Sequence, residues 1–379
     1  MEFSFSDDQK ELRRTARRFL GAASSEERVR AAMATERGFD PAVWDQLAGE
    51  LAWSALTIPD EYGGLGMSYL DLHPLMEEMG RALLCAPFFS SICLGANALM
   101  IGGDSQQKER WLPQIAAGEL RTTLAYTERN GRWDSSAIEC TYARSGSGYV
   151  LRGEKRYVLD GHTADLILVA ARAEQSHGRE GVTLFAVRSD AEGLHREWLP
   201  TLDQTRRQAS VTLTDVVVAA DARIGNEGTG WTTCERTIDL AAIALSAEQV
   251  GAAEACLDMA VEYAKVRKQF GRAIGSFQAI KHKCADMLTL VESARSSSFY
   301  ASALAAQGET DLADAASSAK AYCSDAAFHC ASENIQIHGG IGFTWEHPAH
   351  LYFKRAKASE ILFGTPDEHR ERVAMRMGL

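Results

Sequence analysis

The sequence predicts an α+β fold that is mostly helical, because its hydrophobic periodicity changes twice along the chain. Residues 1–120 show the apolar spacing of helices, beginning at Ser6-Asp7 with acidic residues in the first turn. Residues 121–230 contain short β-type runs broken by Gly, Asp and Ser turns, and residues 231–379 are helical again. We therefore expect an N-terminal helical domain, a middle antiparallel β domain and a C-terminal four-helix bundle.

Each region carries its own local signals. The stretch from Ile58 to Gly66 is rich in Gly and Pro, which predicts a shaped loop between helices. No helical stretch separates the β-type runs of the middle region, which favours a small antiparallel sheet or barrel over βαβ units. The Gly225–Gly230 segment has a glycine spacing similar to that of nucleotide-binding loops. It lies outside a βαβ unit, so we expect an ordinary loop.

Composition sets limits on location and partners. The chain has 379 residues, 46% hydrophobic and 24% charged, with a formal charge of −11. This balance is typical of an ordinary soluble enzyme and argues against a nucleic-acid or anionic-membrane surface, although a few local cations can still bind one phosphate. The N-terminus lacks the apolar core of a signal peptide, and no run approaches the roughly 18 consecutive apolar residues of a membrane span, so we expect a cytoplasmic protein.

Cysteines and histidines indicate no metal site. The eight cysteines include no C-x-x-C pair and mostly lie in apolar or Ala-rich surroundings, so buried free thiols are expected. No histidine spacing matches a set of metal ligands. His329 and Cys330 are adjacent and therefore point in different directions on a helix.

Two segments of the third region carry a more specific signal. The first runs from Tyr263 to Gln278 and contains the pattern R-x-Q-F-G, and the second runs from Gln336 to Thr344 and contains Q-x-x-G-G. Together with the Pro59–Gly66 loop and the helix–β–helix order, they closely resemble the acyl-CoA dehydrogenase family. The resemblance covers nearly the whole chain.

The resemblance implies that the chain binds FAD at a subunit interface. In the family, these elements come from one subunit and hold the ADP half of an FAD that lies mainly in its neighbour. A guanidinium fork suits pyrophosphate oxygens, and paired glycines let backbone N–H groups approach a ligand closely. The alternatives are an ordinary surface arginine and an ordinary helix C-terminal stop. The corresponding residues here are Arg267, Phe270, Gln278, Gln336, Gly339 and Gly340.

Other positions match the family less well. The resemblance assigns Tyr126, Thr127, Tyr157 and Thr365 to the flavin pocket and Asp239 to the neighbourhood of bound CoA. Where the family has Gly-Ser in its flavin-facing T-E-P-x-x-G-S-D segment, this sequence has Arg132-Trp133. Leu159 replaces a threonine whose hydroxyl would hydrogen-bond to flavin N5, whereas Tyr157 could still stack on the ring.

The catalytic base expected from the resemblance is absent. Most family members carry a glutamate immediately before a C-terminal Gly-Thr, and a minority carry it on a long helix. Those positions are Phe363 and Ala241 here, and neither side chain can accept a proton. Asp239, Glu360 and Asp367 are the acids nearest in sequence, but structural or solvated roles are the simpler interpretation for them.

The uneven match suggests a division of labour between subunits. The segments that would serve a neighbour's FAD match well, whereas those that would complete this chain's own site do not. Three segments, 128–134 (E-R-N-G-R-W-D), 158–161 (V-L-D-G) and 363–369 (F-G-T-P-D-E-H), resemble the small subunit of pimeloyl-CoA dehydrogenase-type heteromeric enzymes. The expected partners are an acyl-CoA, an electron-transfer flavoprotein or similar acceptor, and a related subunit in a homo- or hetero-tetramer. A homo-oligomeric flavoprotein with different flavin chemistry and a non-catalytic structural subunit remain alternatives.

Overall fold

The computed structural model describes residues 5–308 and 311–379. Short 3₁₀ and π turns link several of its elements. The helices are α1 (Asp7–Ala23), α2 (Glu26–Met33), α3 (Pro41–Asp45), α4 (Tyr69–Arg81), α5 (Asn97–Gly102), α6 (Ser105–Ala116), α7 (Gly230–Val266), α8 (Gln278–Gln307), α9 (Leu312–His338), α10 (Ala349–Ile361) and α11 (Pro366–Arg376). The strands are β1 (Thr122–Ala125), β2 (Thr141–Ser145), β3 (Gly148–Leu159), β4 (Leu166–Ala173), β5 (Val182–Arg188), β6 (Leu194–Leu199), β7 (Gln208–Ala219), β8 (Arg223–Ile224), β9 (Lys268–Gln269) and β10 (Arg272–Ala273).

The chain forms two compact units, each assembled from separate stretches of sequence. Of the described residues, the helical unit combines 5–31, 69–84, 242–308 and 311–379, and the sheet unit combines 32–68 and 85–241. Proximity in sequence therefore does not decide which helices pack together. The division at residues 120 and 230 stays a prediction.

Local signals in the first region have the predicted structural outcome. The Ser6 hydroxyl accepts from the Gln9 N–H at 3.2 Å and the Gln9 side chain accepts from the Ser6 N–H at 3.1 Å, so a capping box begins α1 where expected. The Ile58–Gly66 segment is a tight loop. A Cβ on Gly64 would lie 1.8 Å from the Ile58 carbonyl oxygen, so only glycine fits there.

The sheet unit has one eight-stranded sheet. Its strand order is β6-β7-β3-β2-β4-β5-β8, with β1 paired to β4. Most pairings are antiparallel, as predicted, but β1 and β2 each run parallel to β4. One face packs a core of alternating apolar residues that includes Leu151, Ile167 and Phe185.

In the helical unit, a buried ion-pair cluster joins α1, α4 and α8. The Glu77 carboxylate is 1% exposed; Arg295 Nε donates to its Oε1 at 3.2 Å, and His73 Nε2 lies 3.1 Å from the same oxygen. Arg13 Nη2 lies 2.8 Å from Oε2, at an angle that makes this a charge contact rather than a directed hydrogen bond. Small residues permit the close packing: a Cβ on Gly251 of α7 would lie 1.7 Å from the Glu77 carbonyl oxygen.

Helix α7 is long and apolar enough to cross a membrane by length and composition alone. Within the protein, however, 89% of its most apolar window is buried, so the fold itself accounts for that composition. Seven of the eight cysteines are also buried, Cys284 is half-buried, and all eight are free thiols.

Candidate functional site

The R-x-Q-F-G motif forms the end of α7 and a tight hairpin. Strands β9 and β10 pair antiparallel, with Phe270 and Gly271 as the two turn residues at φ 51° and 79°. Positive φ at both central positions is the type I′ geometry, which suits Asn or Gly and is costly for Phe. Phe270 is nevertheless 91% exposed. A bulky residue kept at a strained turn position and exposed in this way is a candidate for contact with a ligand or another subunit.

The Q-x-x-G-G motif lies beside this hairpin, although the two are about 70 residues apart in sequence. Tyr263, one helical turn before Arg267, stacks on His338 with ring centroids 4.3 Å apart. His338 immediately precedes Gly339, which ends α9 at φ 63° with its N–H bonded to the carbonyls of Gln336 and Ile335. The helix-stop interpretation of Gly339 is therefore correct, and it places the glycine pair near the Arg267 end of α7.

The polar side chains of this surface suit a phosphate-bearing ligand. Within residues 5–308 and 311–379, the side chains of Arg267, Gln278 and Gln336 form no hydrogen bond or ion pair, and all three are exposed. A Cβ on Gly339 or Gly340 would meet no atom within 4 Å, so the backbone there is open. An unpaired guanidinium beside accessible backbone groups fits a pyrophosphate. We call these six residues, including Phe270, the ADP half-site.

The predicted flavin residues of the sheet unit are mostly buried. Tyr126 is 5% and Thr127 3% exposed, and the Thr127 hydroxyl donates to the Arg156 carbonyl at 2.5 Å. Burial raises the pKa of Tyr126 well above its ordinary value, and its hydroxyl has no partner among the described residues. Trp133 packs on the Tyr126 ring at 5.8 Å. This surface therefore offers few accessible groups to a flavin ring, whereas the ADP half-site offers several to the pyrophosphate end of FAD.

Tyr157 is the exception on this side. It lies in a β-bulge between Lys155 and Val158, at φ 59°, and is 37% exposed. Bulges often re-aim a side chain next to a functional site. The bulge is held by the buried Lys155, whose Nζ donates to Glu128 at 2.6 Å, and Glu128 also accepts the Cys140 N–H at 2.9 Å.

The turn after α10 carries the first position expected for a base. Phe363 is 4% exposed with φ 66°, and its carbonyl oxygen lies 3.1 Å from His369 Nε2. The fully buried Lys320 donates to the carbonyls of Glu360 and Gly364, both at 3.1 Å. Burial lowers the pKa of Lys320 to about 7. All of these contacts set the shape of the turn. The side chain at its centre, Phe363, is a hydrocarbon and cannot accept a proton.

The Thr365 hydroxyl is committed to a helix cap. It accepts the Glu368 N–H at 3.3 Å and donates to the Glu368 carboxylate at 2.9 Å. The same carboxylate accepts the Thr365 backbone N–H at 2.7 Å, which closes the capping box of α11. The predicted role of Thr365 toward the cofactor stays a prediction.

The other acids considered as bases are engaged or buried. Glu360 pairs with Lys357 at 3.0 Å, and Asp367 pairs with Arg370 at 3.0 Å. Asp239 is 4% exposed, and Ala241, the second position expected for a base, is fully buried. The predicted role of Asp239 near CoA is untested by this geometry.

Family models match the chain from one end to the other. Residues 6–119 match the acyl-CoA dehydrogenase N-terminal domain, residues 123–216 the middle domain and residues 228–378 the C-terminal domain. The acyl-CoA dehydrogenase IpdE2 of Mycolicibacterium smegmatis is 33% identical over 97% of this chain and 98% of its own length. The chain belongs to the acyl-CoA dehydrogenase family. The predicted fold class, enzyme class (an oxidoreductase acting on CH–CH) and FAD cofactor are thereby confirmed.

Solved acyl-CoA dehydrogenase-like structures share the whole fold. Butyryl-CoA dehydrogenase from Megasphaera elsdenii superposes with a TM-score of 0.92 at 27% identity, covering 100% of both chains. A chain of the ChsE4-ChsE5 complex from Mycobacterium tuberculosis superposes with a TM-score of 0.90 at 26% identity, covering 100% of this chain and 99% of that one.

Two features that matter in this acyl-CoA dehydrogenase chain were not singled out from sequence. Tyr263 and His338 both lie inside the recognised motifs, but nothing in the spacing showed that their rings stack. Lys320 lies in an Ala-rich helix whose composition indicates a buried core helix. Only the structure shows that its ammonium reaches the turn at Phe363.

Proposed function

We propose that this chain is a base-deficient subunit of a heteromeric, FAD-dependent acyl-CoA dehydrogenase. The observation that carries the proposal is that both family base positions are occupied by buried hydrocarbon side chains, Phe363 and Ala241. Proton abstraction requires a carboxylate within hydrogen-bond reach of the substrate's α carbon. A related subunit that carries this carboxylate completes the enzyme.

The ADP half-site supports the same division. Its guanidinium and two carboxamides have no hydrogen-bond partner within the described part of this chain, no atom crowds the two glycines, and Phe270 exposes almost its whole ring. We infer that this surface holds the pyrophosphate of an FAD that is shared with the related subunit. Arg267 binds the phosphate oxygens, and the lack of side chains at Gly339 and Gly340 lets the ligand approach the backbone closely.

The overall reaction is the α,β-dehydrogenation of an acyl-CoA thioester. The partner's base takes the α proton and the β carbon loses a hydride, which yields the 2-enoyl-CoA. When bound, FAD supplies the acceptor for that hydride. An electron-transfer flavoprotein or similar acceptor then reoxidises the enzyme, and we propose a cytoplasmic tetramer as the working form.

Turnover with and without a partner tests the proposal. We expect the chain alone to show an acyl-CoA-dependent rate, measured with an artificial electron acceptor, at least about 10²–10⁴-fold below that of the co-expressed complex, since a general base contributes that much. Replacing the partner's base glutamate by glutamine should bring the complex down to the level of the chain alone. Full turnover by this chain as a homo-oligomer would remove the need for a partner.

A further inference from the structure

The ADP half-site rests on a column of three aromatic rings. His338 lies between Tyr263, at 4.3 Å, and His347, at 4.2 Å. Tyr263 belongs to α7, His338 is the last residue of α9, and His347 lies in the turn before α10. The column thus brings together side chains from two helices and one turn of the helical unit.

The column is tied directly to the residues of the half-site. The Arg267 N–H bonds to the Tyr263 carbonyl at 2.9 Å, and His338 is bonded covalently to Gly339. The His338 ring is itself fixed, because Nδ1 lies 2.8 Å from the Asn334 carbonyl one helical turn back. Moving His338 would therefore change the separation between the guanidinium and the glycine backbone.

Gly342 gives a second, independent sign that the position of His338 is set closely. A Cβ on Gly342 would lie 2.9 Å from His338 Cβ and 3.1 Å from the Ile335 carbonyl oxygen. Gly342 does not need glycine for a positive φ, so close packing against His338 is the reason for its small size. The backbone at Gly342 passes so close to His338 that a side chain does not fit there.

We propose that His338 is a positioning residue that sets the spacing between Arg267 and the Gly339–Gly340 backbone, and that protonation of the His338–His347 ring pair weakens FAD binding. This inference rests on the proposed function. His338 does not itself contact the cofactor in this account; it acts through the two groups that do.

The charges around the column favour neutral rings. Burial lowers the pKa of His338, and burial followed by the charge of His338 lowers the pKa of His347. Facing His347 from α2 are Glu26, which raises its pKa, and Arg30, which lowers it; His350 of α10 lies on the same side. Because both folded-state pKa values are below 6.5, the two rings are neutral above that pH. The neutral pair is lost as the pH falls below 6.5.

FAD titration of the co-expressed complex, followed by visible absorbance, tests the proposal. We expect His338→Ala to raise the dissociation constant for FAD at least about tenfold, the loss that corresponds to one charge-assisted hydrogen bond. His338→Phe should restore most of that affinity, because it keeps a ring in the column. The matched control is His329→Ala, an exposed histidine of the same helix, which should bind FAD as the wild type does.

The pH profile separates positioning from a merely structural role. As the pH falls below 6.5, wild-type affinity for FAD should fall, whereas His338→Phe should show a flatter profile because it cannot be protonated. Thermal unfolding without FAD checks that each variant folds. Should His338→Ala fail to fold, Gly342→Ala, whose added Cβ would lie 2.9 Å from the His338 Cβ, is expected to weaken FAD binding in its place.

Two results would overturn the inference. The first is wild-type FAD affinity in folded His338→Ala, and the second is a His338→Phe variant that binds no better than His338→Ala. If Arg267→Met leaves FAD binding intact, the proposed half-site itself is wrong. If Arg267→Met weakens binding and His338→Ala does not, only the positioning role fails.

Discussion

Replacing Arg267 by methionine is expected to raise the dissociation constant of the assembled enzyme for FAD about ten- to hundredfold. The guanidinium is the one strong phosphate ligand of the ADP half-site, and charge-assisted hydrogen bonds contribute about 1.5–3 kcal/mol. Arg267→Lys should recover only part of the loss, because an ammonium cannot bind two oxygens in a fork. The measurement is an FAD titration followed by visible absorbance.

The hairpin offers a matched control for Arg267. Lys268 is the next residue, is also exposed and carries the same charge, so Lys268→Met tests whether simple electrostatic attraction explains the effect. We expect its affinity for FAD to stay within a few-fold of wild type. The unfolding temperature without FAD should not change in Arg267→Met, since that side chain pairs with nothing in the described chain. Equal losses in the two variants would contradict the assignment.

A second large effect is expected at the buried ion-pair cluster. Glu77→Gln should lower the free energy of unfolding by about 1.5–3 kcal/mol, the contribution of a hydrogen bond to a charged group. It removes the buried carboxylate that Arg13 and Arg295 share, whereas Arg13 keeps Glu78 and Arg295 keeps Glu254, each at 2.9 Å. Chemical or thermal denaturation measures this. Glu262→Gln is the control: Glu262 pairs with Lys265 at 2.6 Å at the surface, where an ion pair contributes about 0–1 kcal/mol.

The pH dependence of that difference has a definite sign. Burial raises the pKa of Glu77, but the hydrogen bond from His73 and the charges of His73, Arg295 and Arg13 outweigh it and hold this pKa at about 2. A folded-state pKa below the ordinary 4.5 means that the stabilisation is fully present above about pH 4.5. It should decline as the pH falls toward 2. A Glu77→Gln variant as stable as Glu262→Gln would show that the cluster does not stabilise the fold.

Much of the fold followed from local chemistry. The capping box at Ser6, the glycine-shaped loop at Gly64 and the change from helical to β periodicity are short-range features, and each has its predicted outcome. The parallel pairing of β1 and β2 with β4 was not predicted, because it joins segments that are distant in sequence. Hydrophobic periodicity determines which face of a strand is buried, but it does not determine which strand pairs with it.

The candidate site was predictable where it depends on motifs and not where it depends on packing. Arg267 and the Gly339–Gly340 pair are visible in the sequence, and the structure brings their segments together. The burial of Tyr126 and Thr127 was not visible, since exposure depends on neighbours such as Trp231 that are distant in sequence. The left-handed backbone at Phe363 was also hidden, because a phenylalanine gives no local signal for it.

The visible absorbance spectrum of the purified protein, alone and together with a related base-carrying subunit, is the most direct test of the account. The account predicts that the chain alone, even after incubation with FAD and gel filtration, retains well below stoichiometric flavin. The complex should keep its flavin and lose it when Arg267 is replaced by methionine. Stoichiometric flavin on the isolated chain, together with reduction of that flavin by an acyl-CoA, would contradict a site shared between unlike subunits.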